Sequence, residues 1–117
     1  YKLSDYLRVV DKVIVPVVPS VFDMAATEDF LNSIRSELRG RRGVIGIVAM
    51  RVDPRTRAAV MLEEFLRHFD IPILAYLRNT QNYVNAAAGG LTVFDPPRSK
   101  HRRDEEQWQP LLQWLSD

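Results

Sequence analysis

The stretch Gly43-Val44-Ile45-Gly46-Ile47-Val48-Ala49-Met50, continuing into Arg51-Val52-Asp53-Pro54-Arg55-Thr56, decides the fold class. An apolar, β-branched run of this length reads as a strand buried on both faces, and such strands belong to parallel sheets covered by helices. The same character recurs upstream in Val13-Ile14-Val15-Pro16-Val17-Val18 and downstream in Ile73-Leu74-Ala75-Tyr76-Leu77. Pro16 is awkward there, because proline cannot donate to a strand ladder and is confined to edges and bulges.

Helical periodicity fills the gaps. From Met24 to Leu38 the apolar residues Phe30, Leu31, Ile34 and Leu38 fall on one face, with Asp23 as the expected N-cap and Gly40 as the stop. A second helix is expected from Arg55 to Phe69, on the stripe Val60, Leu62, Phe65, Leu66 and Phe69, and Ile71-Pro72 ends it. A short helix near Tyr83 to Ala88 stops at Gly89-Gly90, and Asp95-Pro96-Pro97 breaks the chain. The basic run Arg98-Ser99-Lys100-His101-Arg102-Arg103 is expected as a loop over 96–103. A terminal helix over 104–116 follows, with Trp108, Leu111, Leu112 and Leu115 on its apolar face. Pro110 suits a first turn, so that helix can also begin there.

Strand alternating with helix is the α/β pattern, and it predicts a three-stranded parallel sheet with crossover helices in one domain or half-domain over 1–117, with its core at about 11–95. So thin a sheet leaves rows of unpaired backbone groups, which suggests that something is missing from one edge. The start at Tyr1, without an initiator Met, is consistent with a fragment.

Composition narrows the function classes. At 117 residues with 46% hydrophobic side chains, the chain is long enough to bury a core, which argues against disorder. Sixteen basic against fifteen acidic residues leave a net charge of +1, so nucleic acid or membrane would be bound only through local patches. The absence of Cys excludes disulfides and thiolate metal sites and fits a reducing compartment. No stretch approaches the roughly 18 apolar residues of a membrane span, so a cytoplasmic protein is the expectation.

The sequence carries no self-sufficient catalytic constellation. The P-loop pattern needs Gly before Lys, and the three Lys residues follow Tyr1, Asp11 and Ser99. Gly40, Gly43 and Gly46 are spaced by three rather than as G-x-G-x-x-G, and turn formation and close packing explain them. His68 and His101 read as solvated surface residues, and Glu63-Glu64 and Asp104-Glu105-Glu106 as solvated acidic faces. Arginine is the exception to this plainness, with 13 Arg among the 16 basic residues. Genomic composition bias is one explanation. The other is a phosphate-bearing partner, because Arg51, Arg55 and Arg78 follow strands and project from the carboxyl edge, where open α/β sheets bind ligands. The run Arg98 to Arg103 either contacts a phosphate backbone or is a solvated loop.

Three segments, in this order, resemble the ParA/MinD partition and positioning ATPases of the deviant P-loop class. DKVIVPVVPSVFDMAATEDFL (11–31) resembles the strand, loop and helix after that family's second acidic nucleotide motif. GVIGIVAMRVDPRT (43–56) resembles its strand and Asp-x-Arg-Thr turn. ILAYLRNTQNYVNAAAGGLTVFD (73–95) resembles the strand, Arg-Asn loop, short helix and closing Val-x-Asp (Val93-Phe94-Asp95) of its last third.

The resemblance implies the carboxyl-terminal half of such an ATPase. It places Met50, Arg51, Leu77, Arg78 and Asn79 around the adenine, and Arg55 and Arg78 on nonspecific DNA; a further Arg of that motif is Gln81 here. It also implies ATP and Mg as cofactors of the parent, a dimer that partitions chromosomes or plasmids or positions another cargo in the cell, a ParB-like partner, and no catalysis by this chain alone, since phosphoryl transfer rests on the absent phosphate loop. The family's membrane-targeting helix is not expected, because Asp104, Glu105, Glu106 and Asp117 give the last helix acids in place of a basic polar face. The rival reading is an interaction module that pairs the strand Val13–Val18 with a partner or with itself. A receiver-like domain is a third reading, but Arg78 stands where that domain needs Lys.

Overall fold

The computed structural model describes residues 2–38, 41, 44–96 and 98–117, and of Arg98 and Ser99 only the backbone. The readings placed on Tyr1, Gly40, Gly43 and Pro97 lie outside the described residues. The elements are α1 (Leu3–Val9), β1 (Val13–Val17), α2 (Val21–Glu37), β2 (Ile45–Val52), α3 (Arg57–Leu66), β3 (Ile73–Arg78), α4 (Gln81–Ala88) and α5 (Arg98–Ser116). The sheet is parallel throughout, in the order β1-β2-β3, with Val15 opposite Ile47 and Val48 opposite Ala75. The α/β class and the three-stranded parallel sheet are as the sequence predicts.

Alternation along the strands divides the core into two layers. Val15, Val17, Ile47 and Ala49 join Met24, Leu31 and Ile34 of α2 and Ala59, Leu62 and Leu66 of α3. Both helices lie on this face because successive crossovers of one hand, stepping the same way, keep to one side of a sheet. Val48, Leu74, Ala75 and Leu77 form the other cluster, with Leu111, Trp108 and Trp114 of α5 over it, and the register shift that leaves Leu74 as an extra residue of β3 interrupts the alternation there. Gly46 leaves room for the Leu74 side chain, since a Cβ there would fall 2.3 Å from Leu74 Cδ1.

Pro16 fits β1 without loss. The Val13 N–H donates to the Val44 carbonyl, so in a parallel pair Val13, Val15 and Val17 direct their backbone groups at β2 and Pro16 directs its missing donor outward. The next outward donor, the Val18 N–H, is taken by Asp23 Oδ2 at 2.7 Å. Asp23 is therefore not the N-cap of α2. Ser20 is, three residues earlier than periodicity suggested, and Asp23 ties the helix back to the end of β1. The other two helices after strands also start earlier or later than expected, because Thr56 and Thr80 cap them with their hydroxyls.

The amino-terminal helix α1 escaped the sequence reading. It buries only Leu7, and the Arg41 guanidinium donates to the Leu7 and Val10 carbonyls at its end.

The largest departure is at the carboxyl terminus. The basic run is not a loop: α5 begins at Arg98, extends for 19 residues and contains Pro110 in its interior. Tertiary contacts override the break. The helix crosses the second face from the end of β3 to the start of β1, where Lys12 Nζ donates to the Trp114 carbonyl and lies 4.8 Å from the centre of the Trp114 ring. His101 and Asp104, expected in solvent, are buried, whereas His68 is exposed as predicted.

Candidate phosphate-binding edge

The three strands end at Val17, Val52 and Arg78, and α2, α3 and α4 start within a few residues of those ends. Three helix N-termini therefore meet one edge of the sheet, where free N–H groups and aligned peptide dipoles favour negative charge. Ser20, Thr56 and Thr80 each satisfy one such N–H.

The β2 end is irregular. Its register with β3 shifts between Ala49 and Val52, and Arg51 has φ 55°, the left-handed region that a side chain with a Cβ adopts at a cost of about 1 kcal/mol. The bulge turns the Arg51 side chain into solvent, where it has no hydrogen-bond or ion-pair partner among the described residues. Arg51 and Asn79 line a cleft with Pro19, Ser20 and Thr56. A neighbouring cleft of about 310 Å³ is lined by Asp53, Arg55, Arg78, Asn79 and Arg103. Arg103, in the second turn of α5, likewise has no partner among the described residues.

The two arginines that the resemblance assigned to DNA are both engaged. Arg55 makes a two-point pair with Asp53, Nε to Oδ1 and Nη2 to Oδ2 at 2.9 Å each, yet its side chain is 87% exposed. The Arg55 side chain and backbone N–H hold the Asp53 carboxyl down at about 2, and Asp53 in return raises the guanidinium pKa. Arg78 donates from Nε and Nη2 to Asp104, and its backbone N–H donates to Gln107 Oε1 at 2.9 Å. Asn82 Nδ2 adds a third hydrogen bond to Asp104, at 3.0 Å. Burial pushes the Asp104 carboxyl up, but the hydrogen bonds from Arg78 and Asn82 outweigh it and the net shift is downward.

Of the residues expected around an adenine, the structure brings Arg51, Arg78 and Asn79 to this edge. Leu77 is buried under α5 and Met50 packs against the same cluster, so neither side chain faces the clefts. Sequence reasoning missed Asn82, Asp104 and Gln107 as parts of this edge, whereas Arg103 belongs to the basic run already named as a candidate phosphate contact. A signal existed for Asp104 alone: His101, Asp104, Trp108 and Leu111 follow helical spacing, which extends the apolar stripe of α5 back into the basic run.

No protein-family model, curated protein or solved structure matches the chain. Among the described residues, no helix is long and apolar enough to cross a membrane.

Proposed function

We propose that this chain is the carboxyl-terminal portion of a ParA-like ATPase and that its carboxyl edge is the side turned toward the nucleotide. The observation that carries the reading is the meeting, on one edge, of three helix N-termini with Arg51, Arg55, Arg78 and Arg103 around two clefts. Such an edge complements a phosphate-bearing ligand. The outer edge of β1, open in this chain, supports the same reading, since the strand with the phosphate loop would lie there.

In this reading the phosphate loop and the magnesium ligands lie outside the chain, and the bound Mg-ATP supplies the phosphoryl group. This chain's residues bind and orient: Arg51 and Asn79 face the β1 side of the edge, and Arg78 and Arg103 the β3 side. The parent is a cytoplasmic, nucleoid-associated dimer with a ParB-like partner. Its DNA contact falls to Arg55 more than to Arg78, because only Arg55 is largely exposed.

The test is to express the reading frame that contains this chain and measure Mg-dependent ATP hydrolysis. Hydrolysis whose KM rises when Arg51 becomes Ala is the expected result. A frame without hydrolysis or nucleotide binding overturns the reading.

A second reading, an interaction module paired through β1, is favoured by one observation. Ile14, Val21 and Phe22 are exposed beside that strand, Phe22 to 87%, and a groove of about 270 Å³ lined by Ile14, Pro16, Ala26 and Phe30 runs between β1 and α2. Concentration-dependent dimerisation without nucleotide would select it.

A further inference from the structure

We infer that Asp104 is a positioning residue of the carboxyl edge, one that holds Arg78 so that the free end of its guanidinium is presented to a phosphate-type oxyanion. The inference rests on the nucleotide-edge reading above and adds to it a residue that no ligand would touch.

The argument is one of donor counting. A guanidinium carries five N–H groups in a fixed plane. Asp104 takes two of them, the Nε–H and one on Nη2, along the side of the fork. Three remain, and two of these, one on each terminal nitrogen, form the end-on pair that a carboxylate or phosphate accepts as a fork. Arg78 has no other side-chain acceptor among the described residues, and it lines the 310 Å³ cleft beside Arg55, Asn79 and Arg103. The pair with Asp104 therefore leaves the phosphate-binding end of Arg78 available.

The support around the pair is rigid. Asp104 has no exposed surface and accepts from Asn82 as well as from Arg78. Gln107, three residues further along α5, accepts from the Arg78 backbone N–H. Main chain and side chain of Arg78 are thus both fixed from one helix, with α4 held to the same carboxylate. Arg55 offers the contrast, since its partner Asp53 lies two residues away on the same exposed turn. An arginine held in this way loses less freedom when it binds, and the gain appears in ligand affinity.

The experiment is a titration of the full-length protein with ATP, comparing Asp104→Asn, Arg78→Met and the double variant. Loss of one charge-assisted hydrogen-bond pair lowers affinity about tenfold or more. The inference expects a loss of that order in each single variant and no further loss in the double, because Asp104 acts only through Arg78. Additive losses, or unchanged affinity in Asp104→Asn, overturn it. Arg51→Ala and Arg103→Ala separate the two levels: if they weaken binding while Asp104→Asn does not, the edge reading stands and the positioning role falls. If none of the variants changes binding, both fall. A measurement independent of variant folding is the Arg78 Nε–H signal in ¹⁵N NMR of the ligand-free protein. A sharp, exchange-protected resonance is expected, and one that exchanges as freely as that of Arg51 overturns the role.

Discussion

Arg78, the last residue of β3, and Asp104, in the second turn of α5, close a two-point ion pair in which the carboxylate has no exposed surface. Together with the hydrogen bond from the Arg78 backbone N–H to Gln107, it ties the sheet to the helix that covers its second face. Removing one partner of such a pair leaves the other unsatisfied, and because Arg78 keeps partial access to water, Asp104→Ala should cost about 2 to 3 kcal/mol. The folded carboxyl titrates below its ordinary 3.8, so its contribution is fully present above that value and is lost as pH falls through the lower folded value. Urea midpoints measured between pH 2 and pH 6 should therefore fall toward acid in the wild type, and less steeply in the variant.

The Asp53 carboxyl should titrate near pH 2, and in Arg55→Ala its midpoint should move back toward 3.8, because the Arg55 side chain is the first cause of the depression. The carboxylate form is favoured above its unfolded value and lost as pH drops toward 2. A carboxyl-carbon NMR titration reads the shift directly. An unchanged midpoint in the variant would show that the pair does not form in solution.

Gly46→Ala should destabilise the protein by about 1 to 3 kcal/mol, the usual cost of forcing a methyl group into a packed core. The added Cβ meets the Leu74 side chain at 2.3 Å. In the Gly46→Ala/Leu74→Ala variant the clash is absent, so the combined loss should be smaller than the sum of the single losses. Thermal midpoints of the four proteins form the cycle.

Pro110→Ala should raise the melting temperature. Pro110 is exposed in the interior of α5 and supplies no N–H to the Glu106 carbonyl one turn back. Proline in a helix interior is about 3 kcal/mol worse than alanine in host systems, of which a partly relaxed site recovers only a share. A lowered midpoint would mean that the helix depends on a bend at this residue.

Pro16→Val should leave the fold intact and increase self-association. The proline directs its missing donor away from β2, and valine would restore an N–H to the open edge beside Ile14. Sedimentation velocity across a concentration series reads the outcome.

The three strands were legible because burial on both faces leaves an unbroken apolar signature, and local context does not alter it. The helices between them were legible in number but not in their starts. Ser20, Thr56 and Thr80 decide those starts through single hydroxyl-to-backbone bonds, and several residues nearby had the same chemical capacity. Of the candidate site, Arg51, Arg55 and Arg78 were found because residues that close a parallel strand, or follow it, lie at its carboxyl edge, while Asn79 came only with the family resemblance. Asp104 and Gln107, in and beside a charged run, and Asn82, in an uncharged polar loop and helix start, were not found, since polar residues in such segments read as solvated until a partner distant in sequence is known.

By itself, then, the sequence determined the α/β class, the parallel order of its strands and the edge on which the arginines gather, because these follow from unbroken apolar runs, a helical period of 3.6 residues and chain direction. The tertiary structure decided that Pro16 costs β1 nothing, that the basic run is helical and that Arg78 is held by a buried carboxylate. Each of these depends on which backbone or side-chain group stands opposite another across 26 or more residues of chain. Local preferences carry no record of such pairings, and packing alone sets them.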